Sequence, residues 1–262
     1  MKQFTFIIVA LLFCFSVQAQ EKSNGRKERK EEKRKKIDAK IKQEEEGVIV
    51  YKKSVAGGVK LTSDGYGGFI EKGISKSVTK ALLFQLEITE RNHVKEEKQS
   101  NPFNFSAPII YGKQNFFYPI KLGMQLQVLL GNKSSKNGVS ITGNLGGGLV
   151  LGLLRPYEVE VQKNGENTFV RYDSPDSLLF LSGPYFGGPG FGQGWKNLKI
   201  TPGIYIKPAV RFDYGKFNEM ISAIEVGVMG EFYSKKIPQM VYQKQQNFFF
   251  SAYVALIIGR RK

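Results

Sequence analysis

From Leu198 to Tyr214 the chain alternates without a break. Leu198, Ile200, Pro202, Ile204, Ile206, Pro208, Val210, Phe212 and Tyr214 fall on one face. Lys199, Thr201, Gly203, Tyr205, Lys207, Ala209, Arg211 and Asp213 fall on the other. A period of two is the mark of a strand whose successive side chains point to opposite sides of a sheet. This run is about three times the length of an average strand. Soluble sandwiches use strands of about five or six residues. A strand that crosses a membrane needs about 9–11 tilted residues, apolar toward lipid and polar toward the lumen. Pro202 and Pro208 lie on the apolar face, where a missing N–H predicts a local irregularity in the ladder.

Six more segments carry related patterns. Ile224, Val226, Val228 and Phe232 oppose Glu225, Gly227, Met229 and Glu231, with a short hairpin connection at Gly215–Met220. Tyr118, Ile120, Leu122, Met124, Leu126, Val128 and Leu130 alternate with Lys121, Gly123, Gln125 and Gln127. Beyond a turn at Gly131–Gly138, Val139, Ile141, Leu145, Leu149, Leu151 and Leu153 alternate with Ser140, Thr142, Asn144 and glycines. Leu82, Phe84, Leu86 and Ile88 alternate with Gln85, Glu87 and Thr89; Asn247–Gly259 is apolar on both faces, and Val55–Ile70 is Gly-rich and less regular. An antiparallel bacterial barrel closes with an even number of strands. Gly47–Ser54, with Val48 and Val50 against Ile49 and Tyr51, is the candidate for the missing one, alone or paired across a turn with the segment after it. The expectation is an all-β fold, an antiparallel transmembrane β-barrel of about 8 strands, with 10 as the alternative. Arg91–Phe117, Arg155–Trp195 and Tyr233–Gln246 then lie at one end, and the short turns 131–138 and 215–220 at the other. A soluble secreted β-protein is the fallback.

The N-terminus predicts the compartment. Lys2 precedes an apolar run from Phe4 to Val17, and Val17-Gln18-Ala19 ends in a small residue. The run is shorter than the roughly 20 residues of a spanning helix, so residues 1–19 read as a cleaved signal peptide. Phe13 stands before Cys14 where a lipoprotein signal wants Gly or Ala. Cys14 is the only cysteine, so the exported chain has no disulfides. Residues 20–46 hold 11 Lys/Arg and 8 Asp/Glu, with only Ile37, Ala39 and Ile41 apolar, and read as a solvated periplasmic tail. Residues 47–262 are the barrel, in the outer membrane of a Gram-negative bacterium.

An eight-stranded barrel has an interior just wide enough to be filled by side chains. The inward set is Lys60, Glu87, Lys121, Gln125, Gln127, Asn144, Lys207, Arg211, Glu225 and Glu231, with both signs of charge, which predicts a packed polar network rather than a channel. One cysteine and one histidine exclude Cys-based zinc and iron–sulfur sites and His-rich metal sites; no cofactor or metal is expected. The one histidine, His93, sits in Arg91–Glu97 after a strand, with Glu90, Glu96, Glu97, Ser100 and Ser106 near in sequence and none at a spacing that catalysis demands. No catalytic residue is assigned. Gly183–Trp195 and Gly146-Gly147-Gly148 both lack the Gly-Lys-Ser/Thr ending of a phosphate loop. The first reads as an extracellular loop whose Tyr185, Phe186, Phe191 and Trp195 suit a partner or glycan contact, the second as glycines that let strands pack closely or bend. The formal charge of +16, less +1 for residues 1–19 and +3 for 20–46, leaves +12 on residues 47–262. Much of it is in the long connections, which favours retention beside anionic lipopolysaccharide. Nucleic acid is not an expected partner.

Several segments carry a family likeness: Gly57–Gly67, Tyr111–Asn115, Pro202–Lys207, Ala223–Gly227, Lys236-Ile237-Pro238 and Gly259–Lys262. On these the chain resembles the small, mostly uncharacterised outer-membrane β-barrel proteins of Bacteroidota-type bacteria, over about four fifths of its length. The resemblance implies an outer-membrane barrel and carries over no catalytic residue. One departure is the ending Arg260-Arg261-Lys262, where many such proteins close on an aromatic residue. The expected function is a non-enzymatic barrel, a structural or accessory subunit of an envelope complex in secretion or surface assembly, with an envelope protein as partner. The alternatives are a small pore, or a lipid- or peptide-modifying enzyme built on His93.

Overall fold

The protein is described from a computed structural model. It describes residues 31, 52–77, 79–99, 107–133, 138–163, 165–172, 175, 177–215 and 219–262. The chain divides into two units, residues 1–49 and 50–262. The expected signal peptide at 1–19 lies outside the described residues, as does the tail at 20–46 apart from Glu31.

The strands, in chain order, are β1 (Lys53–Thr62), β2 (Gly65–Ser75), β3 (Lys80–Arg91), β4 (Lys98–Gln99), β5 (Ile109–Ile110), β6 (Asn115–Gly131), β7 (Ser140–Pro156), β8 (Glu158–Lys163), β9 (Glu166–Arg171), β10 (Tyr185–Gly187), β11 (Lys199–Asp213), β12 (Met220–Ile237) and β13 (Gln246–Arg261). One short helix, α1 (Ser177–Ser182), precedes β10. Eight strands close into a barrel in the order β1-β2-β3-β6-β7-β11-β12-β13, with β13 returning to β1. Every neighbour is antiparallel, and β1 pairs with β13 from Ser54↔Arg261 to Thr62↔Tyr253. Closure leaves no unpaired edge.

The expected strand count holds, but the eighth strand arises elsewhere than at Gly47–Ser54. Residues 47–51 lie outside the described set, and Lys53 and Ser54 only open β1. The Gly-rich stretch Val55–Ile70, read as one strand, is instead two, folded at Ser63-Asp64 with Thr62 opposite Gly65. Its irregular pattern is the flip of facing that a two-residue turn imposes. Gly65 is required there: a Cβ would stand 1.9 Å from the Glu90 carbonyl oxygen.

The prolines of β11 produce no bulge. Pro202 and Pro208 pair in register with Leu151 and Leu145 of β7. On the β12 side the pairing stops after Ile206↔Gly230 and resumes at Ala209↔Gly227 in the same register. The expected irregularity is therefore a gap in the ladder without a shift.

The connections sort by length as expected. The termini of the barrel and the turns after β2, β6 and β11 share one end; the long segments after β3, β7 and β12 share the other. The segment after β7 is more than a loop. It folds into a three-stranded sheet, β9-β8-β10, with α1 beside it. Val159, Val161, Val170, Phe180, Tyr157 and Ile110 form its apolar core.

Candidate functional site

The alternation of each strand sends one set of side chains into the lumen and the other outward. Lys60, Glu87, Lys121, Gln125, Asn144, Lys207, Arg211, Glu225 and Glu231 are all buried inside; Gln127 is half-buried and donates to the Thr142 hydroxyl at 3.1 Å. Glu71, Gln85, Thr89, Arg91 and Ser251 join them. Nothing in the pattern of β2 alone reveals Glu71, because the turn at Ser63-Asp64 is hidden in a glycine run and with it the parity of the strand.

The charged groups form one chain of pairs up the lumen. Near the short-turn end, Arg211 spans two carboxylates: its Nη1 and Nη2 donate to Glu71 at 2.7 and 2.9 Å, and its Nη2 and Nε donate to Glu225 Oε2 at 2.8 and 2.9 Å. Glu225 also accepts from Asn144 at 2.9 Å and from the Tyr253 hydroxyl at 2.8 Å. Lys207 donates to Gln85 Oε1 at 2.6 Å. In the middle, Glu87 pairs with Lys60 and, at 3.0 Å, with Lys121, which reaches Glu231 at 3.0 Å. Near the long-loop end, Arg91 joins Glu231 at 3.0 Å to Asp64 at 2.6 Å, and the Tyr233 hydroxyl donates to Glu231 at 2.7 Å.

The cations Lys60, Arg91, Lys121, Lys207 and Arg211 are thus balanced by Asp64, Glu71, Glu87, Glu225 and Glu231. A buried charge without a partner costs several kcal/mol, so an interior of this composition is stable only when its charges are matched and hydrogen-bonded. The lumen is not wholly polar. Phe69, Phe117, Tyr205, Met229, Tyr233, Tyr253 and Ile257 pack in it as an apolar cluster. The inner face of β13 supplies Tyr253, Ala255 and Ile257, which accounts for its apolar reading on both faces. The rings also sit on the cations: Lys60 Nζ lies 4.3 Å from the Tyr253 centroid and Arg91 4.8 Å from that of Phe249. The glycines of β6 and β7 make the room. A Cβ on Gly123 would come within 2.4 Å of both the Tyr205 hydroxyl and the Gly147 carbonyl oxygen.

Outside, the same strands present an apolar belt: Val59, Leu61, Ile70, Ile88, Leu122, Met124, Leu149, Ile204, Ile206, Phe250 and Ile258 are all exposed. A broad apolar groove crosses this wall, lined by Leu61, Leu126, Leu145, Val210, Val226 and Val254.

Three long segments knit together over the lumen. Gln114 N donates to Gln239 O at 2.7 Å and Val241 N to Gly112 O at 2.8 Å; Gly188 N donates to Ala107 O at 2.9 Å. The Tyr157 hydroxyl accepts from Ile110 N at 2.8 Å. Tyr111 stacks on Tyr242 and meets Tyr185 edge-on. Burial pushes both Tyr157 and Tyr185 up to about 12. Lys113 ties the cap from below, donating to Glu96 at 2.5 Å; its burial lowers its pKa and Glu96 opposes that shift.

His93 is part of this cap. Its backbone N–H donates to Glu96 Oε1 at 2.9 Å and its Nδ1 accepts from Lys95 N at 3.2 Å. Partial burial lowers its pKa. Glu96, the acid it touches among the described residues, is held by Lys113 and by that backbone N–H. Ser100 and Ser106 lie outside the described residues. Of the loop aromatics, Tyr185 donates to Phe180 O at 2.8 Å within the cap. Phe186, next to it in β10, is half-buried. Phe191 and Trp195 sit apart from these, beside β6 and β7.

The fold defines the class: a transmembrane-type, antiparallel eight-stranded β-barrel with an apolar wall and a packed, charge-balanced lumen. No family model and no curated protein matches the chain. Among solved structures it is similar to Neisserial surface protein A, at 12% identity over 80% of this chain and 95% of that one, TM-score 0.36. It is also similar to Ail, the attachment invasion locus protein of Yersinia pestis, at 8% identity over 82% and 100%, TM-score 0.39. A third is the N-terminal β-barrel domain of Pseudomonas aeruginosa OprF, at 10% identity over 81% and 98%, TM-score 0.33. At these identities none assigns a role to a residue of this chain.

Proposed function

We propose that the protein is an integral outer-membrane β-barrel of a Gram-negative bacterium, exported by a cleaved signal peptide. In this reading it is non-enzymatic and acts as a structural or accessory subunit of an envelope complex. The narrower kinship with Bacteroidota-type barrels belongs to the same proposal and rests on Gly57–Gly67 and the other segments that carry the likeness.

The apolar wall supports the membrane reading. On β6 the outward residues from Ile120 to Leu130 are apolar. At roughly 3.3 Å per residue and a tilt of about 40°, they cover a height of about 25 Å, the band a bilayer requires. In water such a wall is an aggregation hazard. The observation that carries the functional reading is the matched lumen. Among the described residues the five lumen cations are each ion-paired, an arrangement that supports a packed interior over a permeation path, so the folded cap is the part available to partners. Exposed Leu178, Phe169 and Tyr242 offer it an apolar surface.

The test is recovery of the tagged native protein from outer membranes in mild detergent. The reading predicts a stoichiometric envelope protein that is lost when Leu178→Asp and Tyr242→Ser are introduced together while the barrel stays folded. Recovery as a monomer, or a stable ion current in planar bilayers, contradicts it.

A further inference from the structure

The segment Pro189–Trp195 looks like a binding loop, yet its polar and apolar groups are arranged for a different role. Arg155 is the last outward residue of β7, and 2% exposed. Its Nη1 donates to the carbonyls of Phe191 at 2.6 Å, Gln193 at 3.1 Å and Gly190 at 3.4 Å, clasping the segment to the barrel wall. The segment's own donors are turned inward as well: Trp195 Nε1 donates to Phe191 O at 2.6 Å and Gly190 N to Gln193 Oε1 at 2.9 Å. Gly194 permits the close approach, with φ +83° and a Cβ position 2.5 Å from Pro156 O.

The large side chains left uncovered are aromatic. Phe191 is 78% and Trp195 38% exposed. Trp195 stacks on Tyr118 at 5.8 Å and 17°. Tyr118 faces outward on β6, two residues before Ile120, where the apolar belt begins. The two rings therefore stand on the outer wall at the height where hydrocarbon gives way to headgroups. Aromatic rings with an apolar body and a satisfied polar handle partition to that level.

We infer that Phe191 and Trp195 form an interfacial anchor seated in the headgroup region of the outer leaflet, clasped to the barrel by Arg155, rather than a site for a soluble ligand. Its occupant is lipid, because the rings continue the belt upward without a break. The inference rests on the membrane-barrel reading.

Trp195 is the only tryptophan, so its emission reports this anchor alone. The full chain is reconstituted in phosphatidylcholine vesicles carrying bromine either high on the acyl chain or near its end, and insertion is followed in the same samples by protease protection. The expected result is blue-shifted emission, stronger quenching by the high bromine than by the deep one, and poor quenching by aqueous acrylamide. In Arg155→Gln the lipid quenching falls. Protected barrel with red-shifted emission, open to acrylamide and untouched by bromolipid, overturns the anchor alone. Failure to insert overturns the membrane reading instead. Lipid quenching unchanged in Arg155→Gln removes the clasp.

Discussion

The lumen and the cap are two cores of one chain built on opposite plans. In the barrel, charges point in and aliphatic residues point out. In the cap, Val159, Val161, Val170 and Phe180 point in, as in any water-soluble fold. The surrounding medium sets the pattern. The barrel wall has no water to meet its polar groups, so they gather in the lumen, where the charged ones pair with one another. The cap faces water, and apolar burial holds it together. The junction is made by groups that work in both, such as Arg91, paired to Glu231 in the lumen and to Asp64 in the outer turn.

If the two cores are separate, damage to one should leave the other standing. Arg211→Met should have the largest effect, because it leaves Glu71 and Glu225 buried with their shared cation gone. A loss of about 3–5 kcal/mol is expected, read by urea unfolding in detergent micelles, with cap amides exchanging as before at low urea. Next comes Gly123→Ala, whose methyl meets the Gly147 carbonyl oxygen as well as Tyr205. Overpacking of this kind costs about 1–3 kcal/mol and should lower the urea midpoint without changing the slope. Tyr157→Phe strips the Ile110 N–H of its acceptor and should cost about 1 kcal/mol, confined to the cap. Faster hydrogen exchange at residues 109–112 with an unchanged barrel midpoint would sharpen the division; a lowered barrel midpoint would break it.

The smallest effect is on pH. An unfolded tyrosine loses its proton near 10.0, its ordinary value, whereas folded Tyr157 and Tyr185 hold theirs to about 12. Between those values the unfolded cap binds fewer protons than the folded one, so cap stability falls as pH rises through that window and is unaffected below it. Absorbance of tyrosinate should show one late-titrating group fewer in Tyr157→Phe than in the parent chain.

The barrel was legible because alternation carries both strand and facing, and Glu87, Lys121, Gln125, Asn144, Lys207, Arg211, Glu225 and Glu231 follow from parity on single strands. Parity failed where a turn hid inside a glycine run: Val55–Ile70 concealed two strands, and with them the inward position of Glu71. The cap was missed for another reason. Its strands β8 and β9 are six residues each, below the length that marked the wall. The signal was present in Asn164-Gly165, a strong hairpin pair, and Gly165 takes φ +87° there. The three-loop weave around Tyr111, Tyr185 and Tyr242 leaves no periodic trace, since it joins residues far apart in the chain.

The central claim is that the strands stand in a bilayer with lipid outside and a packed lumen within. A nitroxide scan of residues 120–130 on β6, in vesicles, tests it most directly, using single cysteines in a chain whose only cysteine is Cys14. A period of two is expected: probes at Leu122, Met124 and Leu126 collide with oxygen dissolved in lipid, and probes at Lys121 and Gln125 with neither oxygen nor a water-soluble relaxer. Water-soluble relaxer reaching the Leu122, Met124 and Leu126 positions would contradict the membrane wall, and reaching the inward set would contradict the closed lumen.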